Sequence, residues 1–284
     1  MTILITGATG QVGGTAARLL AASGESVRAL VRDTSTTHDL DGVQIVGGSF
    51  EDSASLKLAM EGVDTLFLAG RDSPDTVALL GNVLQQAQKS SVRHVVKLSA
   101  IGARPDSSVE LMRDHYAVDQ MLKASPLCWT LLQPHLYMQN LLRFADSVQH
   151  EGKISAPMAD RRFPLVDTRD VGAAAAAVLR NPTAHASRTY QLTGPEAYSY
   201  DDVANALSAV MQRHIIYEAV SPESFEKSLV ESGVPGWRAF DLAHIASAYG
   251  APDCRVSPDF KELVGYTPTP IETFFKDYIG AFSK

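Results

Sequence analysis

Short runs of Val, Ile and Leu alternate with longer helix-period segments through the first half of the chain, and no other feature restricts its fold as tightly. Strands are expected at Thr2–Thr6, Ser26–Val31, Val43–Val46, Thr65–Leu68, His94–Leu98 and Cys128–Leu132. Helices are expected between them, near Gln11–Ser23, Ser53–Met60, Asp75–Lys89 and Val109–Ala124. Such alternation needs crossover connections, and crossovers join parallel strands. The strands are apolar throughout rather than at every second residue, as when helices cover both faces of a sheet. The expected class is therefore α/β, with a doubly wound parallel sheet.

Beyond residue 150 the rhythm loosens. Phe163–Val166 reads as a strand, Thr168–Arg180 as a helix, and Arg188–Leu192 as another strand. The Ala173–Ala177 run suits a helix that packs closely on a neighbour. Gly194 and Pro195 form a turn before an amphipathic helix from Tyr200 to Met211. The remainder, punctuated by Pro222, Pro235, Pro252, Pro258, Pro268 and Pro270, reads as short helices. We expect residues 1–150 to form a nucleotide-binding domain and 151–284 a smaller C-terminal α/β lobe that carries the substrate side, interleaved with the first rather than independent.

Composition narrows the classes further. At 284 residues with 45% hydrophobic and 20% charged side chains, the chain has ordinary globular usage. A net charge of −7, with no run of five or more like charges, argues against a nucleic-acid partner gripped by a basic face. Cys128 and Cys254 lack CxxC spacing and the eight histidines form no HxxxH pair, so no metal is expected. No apolar run approaches the roughly 18–20 residues needed to cross a bilayer, and the start lacks a basic, apolar leader. A cytoplasmic location without membrane partners is expected, as a monomer or homodimer.

The first strand runs straight into Gly7, Ala8, Thr9, Gly10, Gln11, Val12 and Gly13, and then into a helix. Gly7 allows the tight turn, Gly10 lets backbone approach a diphosphate, and Gly13 permits close helix–strand packing. Bare amides and the helix dipole favour an anion there by on the order of 1 kcal/mol. A lone glycine pattern is weak, but a strand before it and a helix after it supply the Rossmann context for a dinucleotide. The second strand ends in Val31, Arg32 and Asp33. Arg32 is placed to pair with a 2′-phosphate, which favours NADPH; the adjacent Asp33 keeps NADH as the alternative.

Together these features resemble the NmrA-like, atypical short-chain dehydrogenases, and among them the bacterial type 2 NAD(P)H-dependent quinone oxidoreductases. The resemblance covers nearly the whole chain. It is carried by the glycine turn, Leu30 to Asp33, Asp114 and His115 followed by Asp119 to Leu122, and Thr130 to Leu132. Tyr137 to Asn140, Thr168 to Asp170, and Tyr190 to Pro195 extend it. It implies that Thr9, Gly10, Gln11 and Val12 cradle the pyrophosphate, that Arg32 meets the adenosine phosphate, and that Phe50 lies near the adenine. It also implies that Ala69, Gly70 and Arg71 line the path to the nicotinamide, with Ser99 facing the same crevice. Ser99 equally fits a plain polar residue at the end of a strand. The family usually has Glu where Asp119 and Gln139 stand, and the quinone reductases have an Arg-Asn pair in place of Gln133 and Pro134. Those differences are expected to fall in the substrate wall.

Ordinary short-chain dehydrogenases use a Tyr-x-x-x-Lys pair, the lysine lowering the tyrosine pKa. None of the nine tyrosines here has a lysine four residues on; Tyr116 is followed by Gln120. Hydride addition to a plain ketone makes an alkoxide nearly as basic as hydroxide (water, about 15.7), so an enzymic acid is needed. Addition to a quinone makes a phenolate of pKa about 10, which water or an imidazole can protonate. The expected acceptor is thus a small conjugated molecule. His115 is the candidate polar group, at a place where the resembling reductases also have histidine; with an ordinary pKa near 6.5 it would donate a hydrogen bond or a proton. Tyr137 and Asn140, at a helix start after the sixth strand, are candidates for closing the pocket; packing and capping are their alternative roles. A quinone-type reductase is the leading expectation. A dinucleotide-binding redox sensor without turnover, or an imine or enone reductase, are the alternatives.

Overall fold

The fold was obtained as a computed structural model that describes residues 1–36, 40–250 and 252–283. Nine strands are described: β1 Thr2–Ile5, β2 Ser26–Val31, β3 Gln44–Gly47, β4 Thr65–Leu68, β5 His94–Leu98, β6 Cys128–Pro134, β7 Lys153–Ala156, β8 Arg188–Leu192 and β9 Ile216–Ala219. Helices α1 Gln11–Ala22, α2 Ser53–Ala59, α3 Thr76–Gln88, α4 Glu110–Lys123, α5 Ala145–Glu151 and α6 Thr168–Arg180 follow in turn. Beyond them come α7 Tyr200–Met211, α8 Pro222–Glu231, α9 Gly236–Ala248, α10 Asp259–Val264, α11 Ile271–Asp277 and α12 Ile279–Phe282.

Seven strands form one sheet in the order β3-β2-β1-β4-β5-β6-β8, all parallel. This is the expected doubly wound Rossmann-type sheet, with the order reversing beside β1. Strand periodicity distributes side chains to two cores. Ile3, Ile5, Phe67, Val96 and Leu132 pack on one face against α1 and α6. Leu4, Leu66, Leu68, Val95 and Leu131 pack on the other against α2, α3 and α4. The alanine-rich α6 lies tightly on α1: a Cβ on Gly172 would come within 2.6 Å of Thr15 Cβ.

The chain returns to this sheet late, since α6 and β8 belong to its layers although they follow residue 150. A third core gathers the C-terminal helices around Phe163, Tyr200, Phe274 and Phe275. Two elements there were not anticipated: β7 and β9 pair in parallel as a separate two-stranded sheet. Conversely, Phe163–Val166 is not a strand. It makes two single bridges, Phe163 with Tyr198 and Val166 with Tyr137, on different partners. Pro164 between them has no amide to continue a ladder.

Candidate active site

The glycine turn lies at the carboxyl end of β1, where ligands gather in open α/β sheets. Gly7 has φ +66°, in the left-handed region. A Cβ on Gly13 would sit 2.4 Å from the Gly7 carbonyl oxygen, so the helix start is pressed onto the turn. No side chain caps α1, and no acidic residue occupies its first turn. The amides of Gln11, Val12 and Gly13 have no protein acceptor among the described residues. Uncapped amides without a nearby carboxylate form a cradle for an anionic diphosphate, so these residues fit a dinucleotide.

Arg32 and Asp33 follow β2, both exposed. The Asp33 carboxylate turns into its own loop, accepting the Ser35 amide at 2.9 Å and the Ser35 hydroxyl at 2.6 Å. Those bonds hold the acid below the usual carboxylate range. Arg32 makes no ion pair among the described residues. The cation is thus available and the neighbouring anion engaged, which suits a 2′-phosphate better than bare ribose hydroxyls.

Beyond the turn lies a cavity of about 390 Å³, whose lining includes Ala69, Gly70, Arg71, Ser99, His115, Tyr137 and Asn140. Gly7, Thr9, Gly10, Gln11, Val12, Arg32 and Phe50 are not part of that lining. They sit beside it: a Cβ on Gly7 would touch the Ala69 carbonyl oxygen at 3.2 Å, and Phe50 lies 3.4 Å from the Cβ position of Gly70. The candidate residues therefore divide into a phosphate turn and a contiguous chamber. Apolar side chains such as Leu80, Leu136 and Trp237 complete much of its wall.

Behind that wall is a buried polar cluster that the sequence did not announce. Lys97, in the middle of β5, is fully buried. Its side chain shares the parity of Val95 and so points toward α4. Lys97 Nζ lies 2.8 Å from Asp119 Oδ1 and 3.3 Å from His115 Nδ1. Ser99 donates its hydroxyl to Asp119 Oδ2 at 2.6 Å. Asp119 and His115 are four residues apart on α4, one turn of one face. Burial lowers the pKa of Lys97, and the Asp119 carboxylate counters that shift.

This arrangement fixes the state of His115. An ammonium has no lone pair, so Nδ1 must accept and the ring proton rests on Nε2. Nε2 has no protein partner among the described residues, and His115 lines the cavity. Burial first, and the Lys97 charge second, push His115 well below 6.5. The expectation of an ordinary imidazole is thereby corrected: His115 is a neutral N–H donor, not a proton reservoir. Tyr137 is pushed up by burial and by Asp72, so it too stays neutral.

The expectation about the family differences is also corrected. Of Asp119, Gln139, Gln133 and Pro134, only Pro134 lines the cavity. Asp119 belongs to the cluster behind it, and Gln139 bonds Asp167 at 2.7 Å and the Thr168 amide at 3.0 Å, anchoring the start of α6.

Helix α9 supplies wall residues that sequence reasoning missed: Trp237, Arg238 and Asp241. The buried Asp241 carboxylate accepts the amides of Glu110 and Leu111 at 2.9 and 2.8 Å, capping α4 from another element. Asp114 also faces the chamber, its acid raised to about 6 by burial and by Glu110.

Comparison with known proteins fits this geometry. An NAD(P)H azoreductase from Xenophilus azovorans is 34% identical over 284 residues, spanning 99% of both chains. A (4-alkanoyl-5-oxo-2,5-dihydrofuran-3-yl)methyl phosphate reductase from Streptomyces griseus is 32% identical, again over 99% of each. The crystal structure of an NADPH-dependent quinone oxidoreductase from Escherichia coli superposes with a TM-score of 0.86 at 26% identity, covering 98% of this chain and 99% of that one. Each of these relatives is a reductase by name. No described helix is long and apolar enough to cross a membrane. The model of the NmrA-like family matches residues 1–275, and the chain belongs to that family.

Proposed function

We propose that this protein reduces quinones or similarly flat conjugated acceptors with a hydride from NADPH. The class, an NAD(P)H-dependent reductase acting on a small molecule, accords with the family and with the names of its relatives. The observation that carries the finer reading is the neutral His115, held by Lys97 at 3.3 Å beside an apolar chamber that adjoins the glycine turn.

NADPH, when bound, supplies the hydride. The amides of Gln11, Val12 and Gly13 would hold its diphosphate, and Arg32 its 2′-phosphate. Ala69, Gly70 and Arg71 line the passage from that turn into the chamber. There His115 Nε2–H donates a hydrogen bond to an acceptor oxygen and stabilises the negative charge that develops on it. A neutral imidazole N–H gives a hydrogen bond but no proton; that suffices for a phenolate of pKa about 10, which water can protonate, whereas an alkoxide needs an enzymic acid that this site does not offer. Tyr137 and Asn140 bound the same chamber, presenting a neutral phenol and a side-chain amide to the acceptor. Solvent water then protonates the hydroquinone anion. A redox sensor without turnover would give this chamber no task, and the catalytic reading is therefore preferred.

The test is loss of NADPH absorbance with a panel of quinones and of simple ketones. Quinones should be reduced and unconjugated ketones should not. His115→Ala should slow quinone reduction on the order of a hundredfold, the cost of one donor to a developing oxyanion. Tight NADPH binding without turnover of any quinone would overturn the reading.

A further inference from the structure

The inner chamber is not isolated. A second cavity, of about 890 Å³, adjoins it. Arg143, Phe144, Phe225, Arg238 and Leu242 line both. Arg143 and Phe144 end a 3-10 helix over Met138–Phe144, Phe225 comes from α8, and Arg238 and Leu242 come from α9. The two cavities are thus halves of one elongated cleft, with two arginines at the waist.

Neither guanidinium has a carboxylate in ion-pair reach among the described residues. Arg143 donates only to Asn140, to its carbonyl oxygen at 3.0 Å and its side-chain oxygen at 3.4 Å. Arg238 has no side-chain bond at all among the described residues. The remaining cation of the outer cavity, Lys153, is already paired with Glu151 at 3.0 Å and Glu218 at 3.4 Å. Burial lowers the Arg143 pKa, and the Arg238 charge lowers it further, so the two cations repel within a partly desolvated space.

The acids of the inner chamber make no ion pair with them among the described residues. Asp241 is engaged by the two α4 amides. Burial raises Asp72, an effect the Arg238 charge partly offsets, and burial and Glu110 raise Asp114; neither carboxylate comes within ion-pair distance of an arginine among the described residues. Around the arginines stand aromatic rings, Phe144 against Phe225 at 6.5 Å and against Tyr200 at 6.4 Å between centroids. Guanidinium groups beside aromatic faces form a seat for an oxyanion carried on a flat ring.

We propose that the acceptor is an anionic aromatic: its conjugated ring lies in the inner chamber by His115, and its sulfonate, carboxylate or phosphate sits between Arg143 and Arg238. This rests on the reductase reading above and names the substrate class for the same site.

The experiment compares kcat/KM for a naphthoquinone and for its ring sulfonate, with NADPH. The ratio of the two cancels any loss of folded protein. In the Arg143→Gln, Arg238→Gln double variant the ratio of sulfonated over parent quinone should fall tenfold to a hundredfold, the range for charge-assisted hydrogen bonds. Arg238→Lys, which keeps a charge but not the planar fork, should fall between. An unchanged ratio in the double variant overturns the proposal. If the native protein reduces neither quinone, the reductase reading fails, and the anion seat is read instead from calorimetric binding of naphthalene sulfonate to the NADP-saturated protein. Binding that the double variant weakens by the same factor supports the seat, and binding that is absent or equal in both refutes it.

Discussion

Lys97 Nζ lies 3.3 Å from His115 Nδ1 at a point in the sheet where the lysine has no exposed surface. The ammonium thereby selects the histidine tautomer, and Asp119 at 2.8 Å compensates the ammonium. Lys97→Met should leave Asp119 a buried carboxylate with only Ser99 as donor, costing about 3–5 kcal/mol in urea unfolding. The Lys97→Met, Asp119→Leu double variant should recover much of that stability but not the rate. With Lys97 gone, His115 should titrate closer to 6.5, adding an inflection to the pH profile of kcat. Equal stability of single and double variants, with no change in the profile, would remove Lys97 from this role.

Arg32 is exposed and makes no ion pair among the described residues, while Asp33 is occupied by Ser35. Arg32→Ala should raise the KM for NADPH tenfold to a hundredfold through the lost charge-assisted bonds. The KM for NADH, which has no 2′-phosphate, should move far less. Parallel losses for both cofactors in fluorescence titration would count against a phosphate contact.

Gly13 has no room for a methyl group, because the obstruction is the Gly7 backbone rather than a movable side chain. Gly13→Ala should lose about 1–3 kcal/mol of stability through overpacking. It should also weaken NADPH binding at least tenfold (on the order of one lost charge-assisted bond), since the turn must open to accept it. Gly236, which has nothing within 4 Å of its Cβ position, is the control. Gly236→Ala should be neutral or stabilising by up to about 1 kcal/mol.

His94 is buried, bonds Thr130 through Nε2 at 2.8 Å, and is pushed down to about 4 chiefly by burial. The unfolded chain binds a proton near 6.5 that the folded chain refuses until about 4. Its contribution is therefore complete above 6.5 and is lost as pH falls toward 4, with a slope of up to about 1.4 kcal/mol per pH unit. Asp170, raised to about 6 by burial, has the opposite sign: its contribution is lost as pH rises toward 6. Comparing native protein with His94→Gln at each pH removes the Asp170 effect. The stability difference should shrink steadily below pH 6.5, and a difference that is constant with pH would contradict the assignment.

The sheet and the phosphate turn were legible because both are local: a strand's period, a helix's period and three glycines lie within short windows. The chemistry of His115 was not. Lys97 sits in His94–Leu98, which reads as one more apolar strand, and nothing adjacent shows that Asp119 will meet it. The only sequence signal was a lysine in a central strand, two residues before Ser99 and on the same face. The pairing of β7 with β9 was hidden for a related reason, since each has four residues and its partner lies some sixty positions away. The arginine waist and the α9 wall arise from elements distant in sequence, so no local pattern carried them.

The carboxylate of Asp241 ties the first turn of α4 to the middle of α9. One element carries the histidine that would meet the reacting oxygen; the other carries the arginine that would hold the far end of the acceptor. With these two bonds joining them, selectivity and reactivity would be mechanically linked. Substitutions that reshape α9 for a bulkier molecule would also reset the aim of His115, so new substrates would be acquired through changes that retune both ends together.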